Sequence, residues 1–230
     1  MPSPRAQVLF ASADAAGRAQ ASSSLAPAGC RVLTAADGPG ALRLARARLP
    51  DLVLLDLQLP GLDGLEVCKE IRRDPATVRI PVFILSLRND PTERLLALEL
   101  GADEFLPLPF DARELALRVR NMIDRTRPAT EPPAQLHVGE LVVDLSAHEA
   151  SVAGRQLRLS PTEFRLLTTL LEHHGQVQTR KELLRRVWTH AALATDRTVD
   201  THIRRLRAKL GRLRPWIHTV RSAGYCLKPE

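Results

Sequence analysis

The 230-residue sequence has no apolar run near the roughly 18 residues a membrane span needs, and no secretory leader pattern. Neither export nor membrane insertion is expected, so the chain is read as cytoplasmic with no membrane partner. Cysteine is scarce. Cys30, Cys68 and Cys226 lie far apart, with no CxxC pair and no Cys/His ligand spacing. That argues against a disulfide framework and a zinc site, and leaves buried thiols in a reducing compartment. His173 and His174 stand before Gly175, which makes a polar helix end and not a metal site. No nucleophile–base pair stands out either, so no enzyme activity and no resident metal are expected.

The length gives room for two modest domains, and charge divides the chain in the same way. Residues 1–124 hold 15 Lys+Arg and 16 Asp+Glu, a net −1, whereas residues 125–230 hold 18 and 10, a net +8. A basic excess confined to one half fits a nucleic-acid-binding domain tethered to a domain with another task.

In the first half, short apolar runs alternate with helical stretches. The runs are QVLFAS (7–12), CRVLTA (30–35), DLVLLD (51–56), IPVFILS (80–86) and EFLP (104–107); helices are predicted at 41–49, 65–73, 94–100 and 111–123, with one more after the first strand. Near-continuous apolar strands suit a parallel sheet covered on both faces, so the prediction is a doubly wound, flavodoxin-like α/β domain of five parallel strands. In such sheets function gathers at the C-terminal strand ends. Those ends carry Ser12, Ala13 and Asp14, then Asp56, Ser86 and Leu108.

In the second half, Arg125–Gln135 is Pro-rich and reads as a semi-extended tether. A small antiparallel sheet follows. Ser160 with Glu163, and Thr179 with Glu182, form capping-box patterns that open two helices. The most informative stretch is DRTVDTHIRRLRAKLG (196–211). Val199, Ile203, Leu206 and Leu210 share one helical face, whereas Arg197, Thr201, Arg204, Arg205 and Ala208 fall on the other. Asp196 is predicted to cap this helix and Gly211 to end it. A basic helix of this kind fits a DNA major groove, where Arg bonds guanine with two donors and further cations sit on phosphates. VRSAGYCL (220–227) reads as a β-hairpin with a Gly turn and Arg221 near its tip. Helix plus hairpin makes an α+β winged helix-turn-helix domain.

Residues 136–230 resemble the effector domain of OmpR/PhoB-type response regulators. LSPTEFRLLTTLLEHHG, TRKELLRRVW, DRTVDTHIRRLRAKL and VRSAGYCL occur in that family's order and spacing. Residues 1–124 resemble its receiver domain through PDLVLLDLQLPGLDGLEV, IPVFILS and GADEFLPLPF. The resemblance implies a phosphoacceptor position at Asp56, a switch hydroxyl at Ser86 and a cis bond before Pro109. It also implies departures. The two adjacent acids that hold Mg²⁺ in the family are here Ser12 and Ala13, with Asp14 one place later. Leucines stand where the family has a lysine (Leu108) and a small residue (Leu87).

For the DNA side the resemblance implies base contacts from Arg205, Thr201 and Arg204, and phosphate contacts from Arg197, His202 and Arg207. Arg221 is assigned to the minor groove, with Thr219 and Tyr225 as further wing contacts. A homodimer face is expected around Arg94, Glu99, Asp103, Glu104, Arg113 and Arg118, with Leu95, Leu98 and Leu117 as its apolar contacts. The loop 189–195 matches a place where some members reach RNA polymerase. The sequence is therefore read as a dimeric, double-stranded-DNA-binding bacterial transcription regulator that works without aspartyl phosphate, with no cofactor and no Mg²⁺. Two alternatives stay open. One is a conventional two-component regulator phosphorylated on Asp56 by a histidine kinase. The other is an adaptor or ligand-sensing pseudo-receiver.

Overall fold

The computed structural model describes residues 6–88, 90–126, 135–188 and 195–229. The chain divides into two compact units, 1–126 and 127–230.

In the first unit, five parallel strands form a sheet in the order β2-β1-β3-β4-β5. They are β1 (Ala6–Ala11), β2 (Cys30–Ala35), β3 (Leu52–Asp56), β4 (Val82–Ser86) and β5 (Glu104–Pro107). The helices between them are α1 (Ala15–Leu25), α2 (Gly38–Arg48), α3 (Gly64–Arg73) and α4 (Pro91–Leu100), and α5 (Ala112–Thr126) closes the unit. The period-two alternation of a strand explains the apolar runs. Leu52 and Leu54 join Val8, Phe10, Phe83 and Leu106 in a core with Leu25 of α1 and Leu115 and Val119 of α5. Val53 and Leu55 point the other way, to Leu9, Val82, Ile84 and Phe105, under Val67 and Ile71 of α3. Both faces are covered at the central strands β3 and β4, whereas the edge strand β2 carries the exposed Arg31 and Thr34. The helices begin three residues earlier than predicted at α2 and α4, because Asp37 and Asp90 cap them ahead of the apolar pattern. The helix α5 ends at Thr126, inside the stretch expected to be linker. Most of that stretch, 127–134, lies outside the described residues.

The second unit opens with a four-stranded antiparallel sheet of β6 (Gln135–Val138), β7 (Leu141–Asp144), β8 (Glu149–Val152) and β9 (Arg155–Leu157). Three α-helices follow among the described residues: α6 (Pro161–Glu172), α7 (Arg180–Val187) and α8 (Asp196–Leu210). Both expected capping boxes form, Ser160 with Glu163 and Thr179 with Glu182. The N-cap of α8 is Thr195 and not Asp196, which is the helix's first residue. Val199, Ile203 and Leu206 are fully buried, and each contributes roughly 1.5–3 kcal/mol relative to exposure. Lys209 adds an ion pair to the buried Glu163 of α6 at 2.5 Å. A 3-10 turn (Gly211–Trp216) leads to β11 (Ile217–Val220) and β12 (Gly224–Leu227), which form a three-stranded sheet with β10 (Gln178–Thr179).

The hairpin turn differs from expectation. Arg221, Ser222 and Ala223 make it, and Ser222 takes the left-handed conformation at φ 60°. Gly224 lies inside β12, against β10. A Cβ there would stand 2.0 Å from the backbone oxygen of Gln178. The glycine serves this close backbone approach and not the turn. Gly224→Ala is expected to cost the second unit about 1–3 kcal/mol through overpacking. A thermal melt checks this, and an unchanged transition contradicts it.

Candidate phosphoacceptor pocket and DNA-binding face

The acid at the end of β3, Asp56, accepts from two neutral donors, and the Arg18 guanidinium donates to the Ser12 carbonyl at 2.5 Å. Asp56 Oδ2 accepts from the Ser12 hydroxyl at 3.1 Å, and its Oδ1 accepts from the Gln58 amide at 3.2 Å. Ser12 is buried at the end of β1, and its Oγ also accepts from the Asp14 amide at 3.2 Å. Ala13 is exposed. The Asp14 carboxylate turns to its own helix. Oδ1 accepts from the Ala16 amide at 3.0 Å and Oδ2 from the Gly17 amide at 2.9 Å, which caps α1. Such capping satisfies the free amides of a helix start and favours an anion there.

Across the sheet, the buried Ser86 ends β4. Its hydroxyl donates to Glu93 in the first turn of α4 at 3.1 Å and accepts from the Arg88 amide at 3.1 Å. Leu87 is 73% exposed, so it points to solvent. Leu108 is half-buried and packs on the core beneath α1 and α5, and the Leu108–Pro109 peptide bond is cis. No group of three or more Asp, Glu, His or Cys side chains able to hold a metal occurs among the described residues. Mg²⁺ is usually held by one or two carboxylates with waters and phosphate oxygens; here the Asp56 carboxylate bonds Ser12 and Gln58, and the Asp14 carboxylate bonds the first amides of α1.

On the expected dimer face, two acids prove internal. Asp103 is buried and accepts from Arg72 of α3 at 2.6 Å and from the Val82 amide at 3.0 Å. Glu104 is buried and paired with Arg118, which also binds Glu114 one turn away. Arg94 lies over the Phe105 ring at 5.6 Å, and Glu99 is half-buried. Arg113 is exposed. Leu98 belongs to the core, whereas Leu96 and Leu117 are 44% and 59% exposed.

On α8, Arg197 and Arg204 are exposed, and Thr201 and Arg205 are half-exposed on the same side. His202 is not on that side. It is fully buried, with its ring edge-on to Trp188 at 5.4 Å, which corrects its expected role at phosphates. It stands three residues after Val199 and four before Leu206, the spacing of one helical face. Arg207 donates to the Ile217 carbonyl of β11 at 2.6 and 3.1 Å and to the Thr219 hydroxyl at 2.8 Å. Burial pulls this guanidinium below its ordinary pKa. Arg221 is exposed at the hairpin tip, and Thr219 is exposed beside it.

Tyr225 is buried, and its hydroxyl donates to Asp200 of α8 at 2.6 Å. Burial first, then this bond to Asp200, raises the phenol above its usual range. Arg180 of α7 donates to the same carboxylate at 2.8 Å and is raised by it. Sequence reasoning overlooked both Asp200 and Arg180. The available signal was a lone acid midway along an arginine-rich helix. The loop 189–194, expected to meet RNA polymerase, lies outside the described residues.

The sheet order and the helix–hairpin arrangement define a receiver joined to a winged helix-turn-helix effector domain. Residues 8–120 match the response regulator receiver domain, and residues 154–227 match the family described as transcriptional regulatory protein, C terminal. The chain is 42% identical over 209 residues to the transcriptional regulatory protein AfsQ1 of Streptomyces coelicolor, covering 90% of this chain and 91% of that protein. It is 41% identical over 183 residues to the phosphate regulon transcriptional regulatory protein PhoB of Rhizobium meliloti, covering 79% and 80%. The crystal structure of DrrB, a Thermotoga maritima OmpR/PhoB homolog, aligns with a TM-score of 0.50 at 27% identity over 98% of this chain and all of that one. The chain belongs to the OmpR/PhoB family of response regulators. It is a DNA-binding transcription regulator and not an enzyme, and no described helix is long and apolar enough to cross a membrane.

The buried Glu104 makes Arg118 a structural partner within one chain. Arg118→Ala is expected to cost the first unit about 3 kcal/mol, because it removes the cation from a buried carboxylate. Thermal melts check this; an unchanged melt with a lost dimer would return Arg118 to an interface role.

Proposed function

We propose that this regulator does not use aspartyl phosphate as its switch, and that its receiver serves to pair two copies or bind a partner. The observation that carries the reading is the Ser12 hydroxyl on Asp56, with Asp14 committed to capping α1. Phosphoryl transfer to a carboxylate depends on positive charge around the transferring oxygens. The resemblance assigns the metal and ammonium positions that supply it to Ser12, Ala13 and Leu108, and no cation among them is available. A phosphoryl group would bring roughly two negative charges against the half-buried Leu108, and an uncompensated charge beside apolar surface is costly. The Ser86 proton already rests on Glu93, which ties α4 to the end of β4 without a phosphate.

On the DNA side, Arg205, Thr201 and Arg204 are assigned to base edges, and Arg197 and Arg207 to phosphates. Arg221 is assigned to the minor groove, which attracts arginine where it is narrow. Two copies paired through α4, β5 and α5, with Leu96 and Leu117 at the contact, would present two winged helices to two half-sites. A conventional, kinase-driven regulator remains the second reading, since Asp56 itself is retained at its strand end.

Asp56→Asn keeps the side chain's shape and removes the phosphoacceptor. It is expected to leave self-association, DNA affinity and reporter output in cells within about twofold of wild type, well under the roughly 1.4 kcal/mol of a tenfold change. Loss of regulation in cells would favour the conventional reading.

A further inference from the structure

The helix α8 carries a carboxylate, Asp200, in the middle of its run, between Arg197 and Arg204. An acid on a face that meets DNA repels phosphate, so its presence calls for a compensating task. Asp200 accepts from the Tyr225 hydroxyl at 2.6 Å and from Arg180 Nε at 2.8 Å. Two guanidiniums lie over the Tyr225 ring, Arg180 at 5.0 Å and Arg207 at 5.6 Å from its centroid. Arg207 in turn holds the Ile217 carbonyl and the Thr219 hydroxyl. One point therefore joins α7, α8, β11 and β12. The wing tip at Arg221 hangs from this point, two residues after Thr219 and four before Tyr225.

We propose that Asp200, Arg180 and Tyr225 are positioning residues for DNA reading, which fix the wing tip at Arg221 against the base-facing side of α8. The proposal rests on the assignment of α8 and Arg221 to DNA. It makes the cluster a determinant of selectivity between sequences and not of bulk affinity. Phosphate contacts tolerate displacement, because long cations follow the backbone. Base-edge bonds in the major groove and an arginine in the minor groove must be made together, and each needs its partner in register. A wing that swings relative to α8 keeps the first set and loses the second. The sign of the Asp200 effect is separately diagnostic. Removing its charge removes a repulsion and releases Arg180, so affinity for arbitrary DNA holds or rises while selectivity falls. A residue that only supports folding would lower both together.

The test uses the full chain. Wild-type protein first selects an enriched duplex from a randomised pool. Affinities for that duplex and for the starting pool are then measured for wild type, Tyr225→Phe and Asp200→Asn, with circular dichroism melts alongside. Tyr225→Phe keeps the ring and loses the two bonds of the hydroxyl, the one it donates to Asp200 at 2.6 Å and the one it accepts from Arg180 at 3.4 Å. The expected result is a drop of about tenfold in the ratio of the two affinities for each variant, the size of one charged hydrogen bond. Affinity for the random pool is expected to be retained by Tyr225→Phe and retained or raised by Asp200→Asn. Equal losses on both DNAs, or an unchanged ratio in both variants, would overturn the proposal. A wild type that enriches no sequence would overturn the underlying DNA-contact assignment, and the proposal with it.

Discussion

A carboxylate at the end of a buried strand has to be satisfied, and the way Asp56 is satisfied shapes the first unit. Its two oxygens take a hydroxyl from Ser12 and an amide from Gln58. Both donors are neutral. The next acid, Asp14, is spent on the start of α1. The next hydroxyl, Ser86, is spent on Glu93 of α4. Asp56, Asp14 and Ser86 each have a partner within the first unit.

The second unit solves a different electrostatic problem. Its net charge of +7 favours contact with any nucleic acid, which supplies strength but no sequence preference. Preference requires that few side chains be held in fixed relation. The packing of Val199, Ile203 and Leu206 fixes the roll of α8, so that Arg197 and Arg204 face outward. The Asp200–Tyr225–Arg180 cluster and the Arg207 bonds to β11 then join that helix to the wing. An acid is tolerated on a basic helix because its charge is matched by Arg180 at 2.8 Å.

Much of this was legible from residue order. Apolar runs such as DLVLLD have no polar face, so only a sheet covered on both sides accommodates them. The capping boxes at Ser160 and Thr179 mark helix starts through bonding that is local in sequence. Errors arose where long-range packing decides. The ionisable ring of His202 suits a phosphate contact, yet its spacing to Val199 and Leu206 puts it in the core. Asp103 and Glu104 look like surface charges until Arg72 and Arg118, distant in sequence, arrive beside them. Gly224 resembled a turn residue because the neighbour that demands it, Gln178, lies 46 positions earlier. The partners of Asp56 were invisible for the same reason. Ser12 at that position announced a lost charge, but not a hydroxyl aimed at the remaining one.

The most direct measurement is the intact mass of the full chain after incubation with Mg²⁺ and a small-molecule phosphodonor, beside an Asp56→Ala control. If neutral donors have replaced the cationic machinery around Asp56, wild type and control both keep their unmodified masses, while the wild type still binds DNA. A single phosphoryl adduct on wild type alone would contradict this. It would mean that Asp14 leaves its cap to gather a metal ion, and that Asp56 remains a working phosphoacceptor.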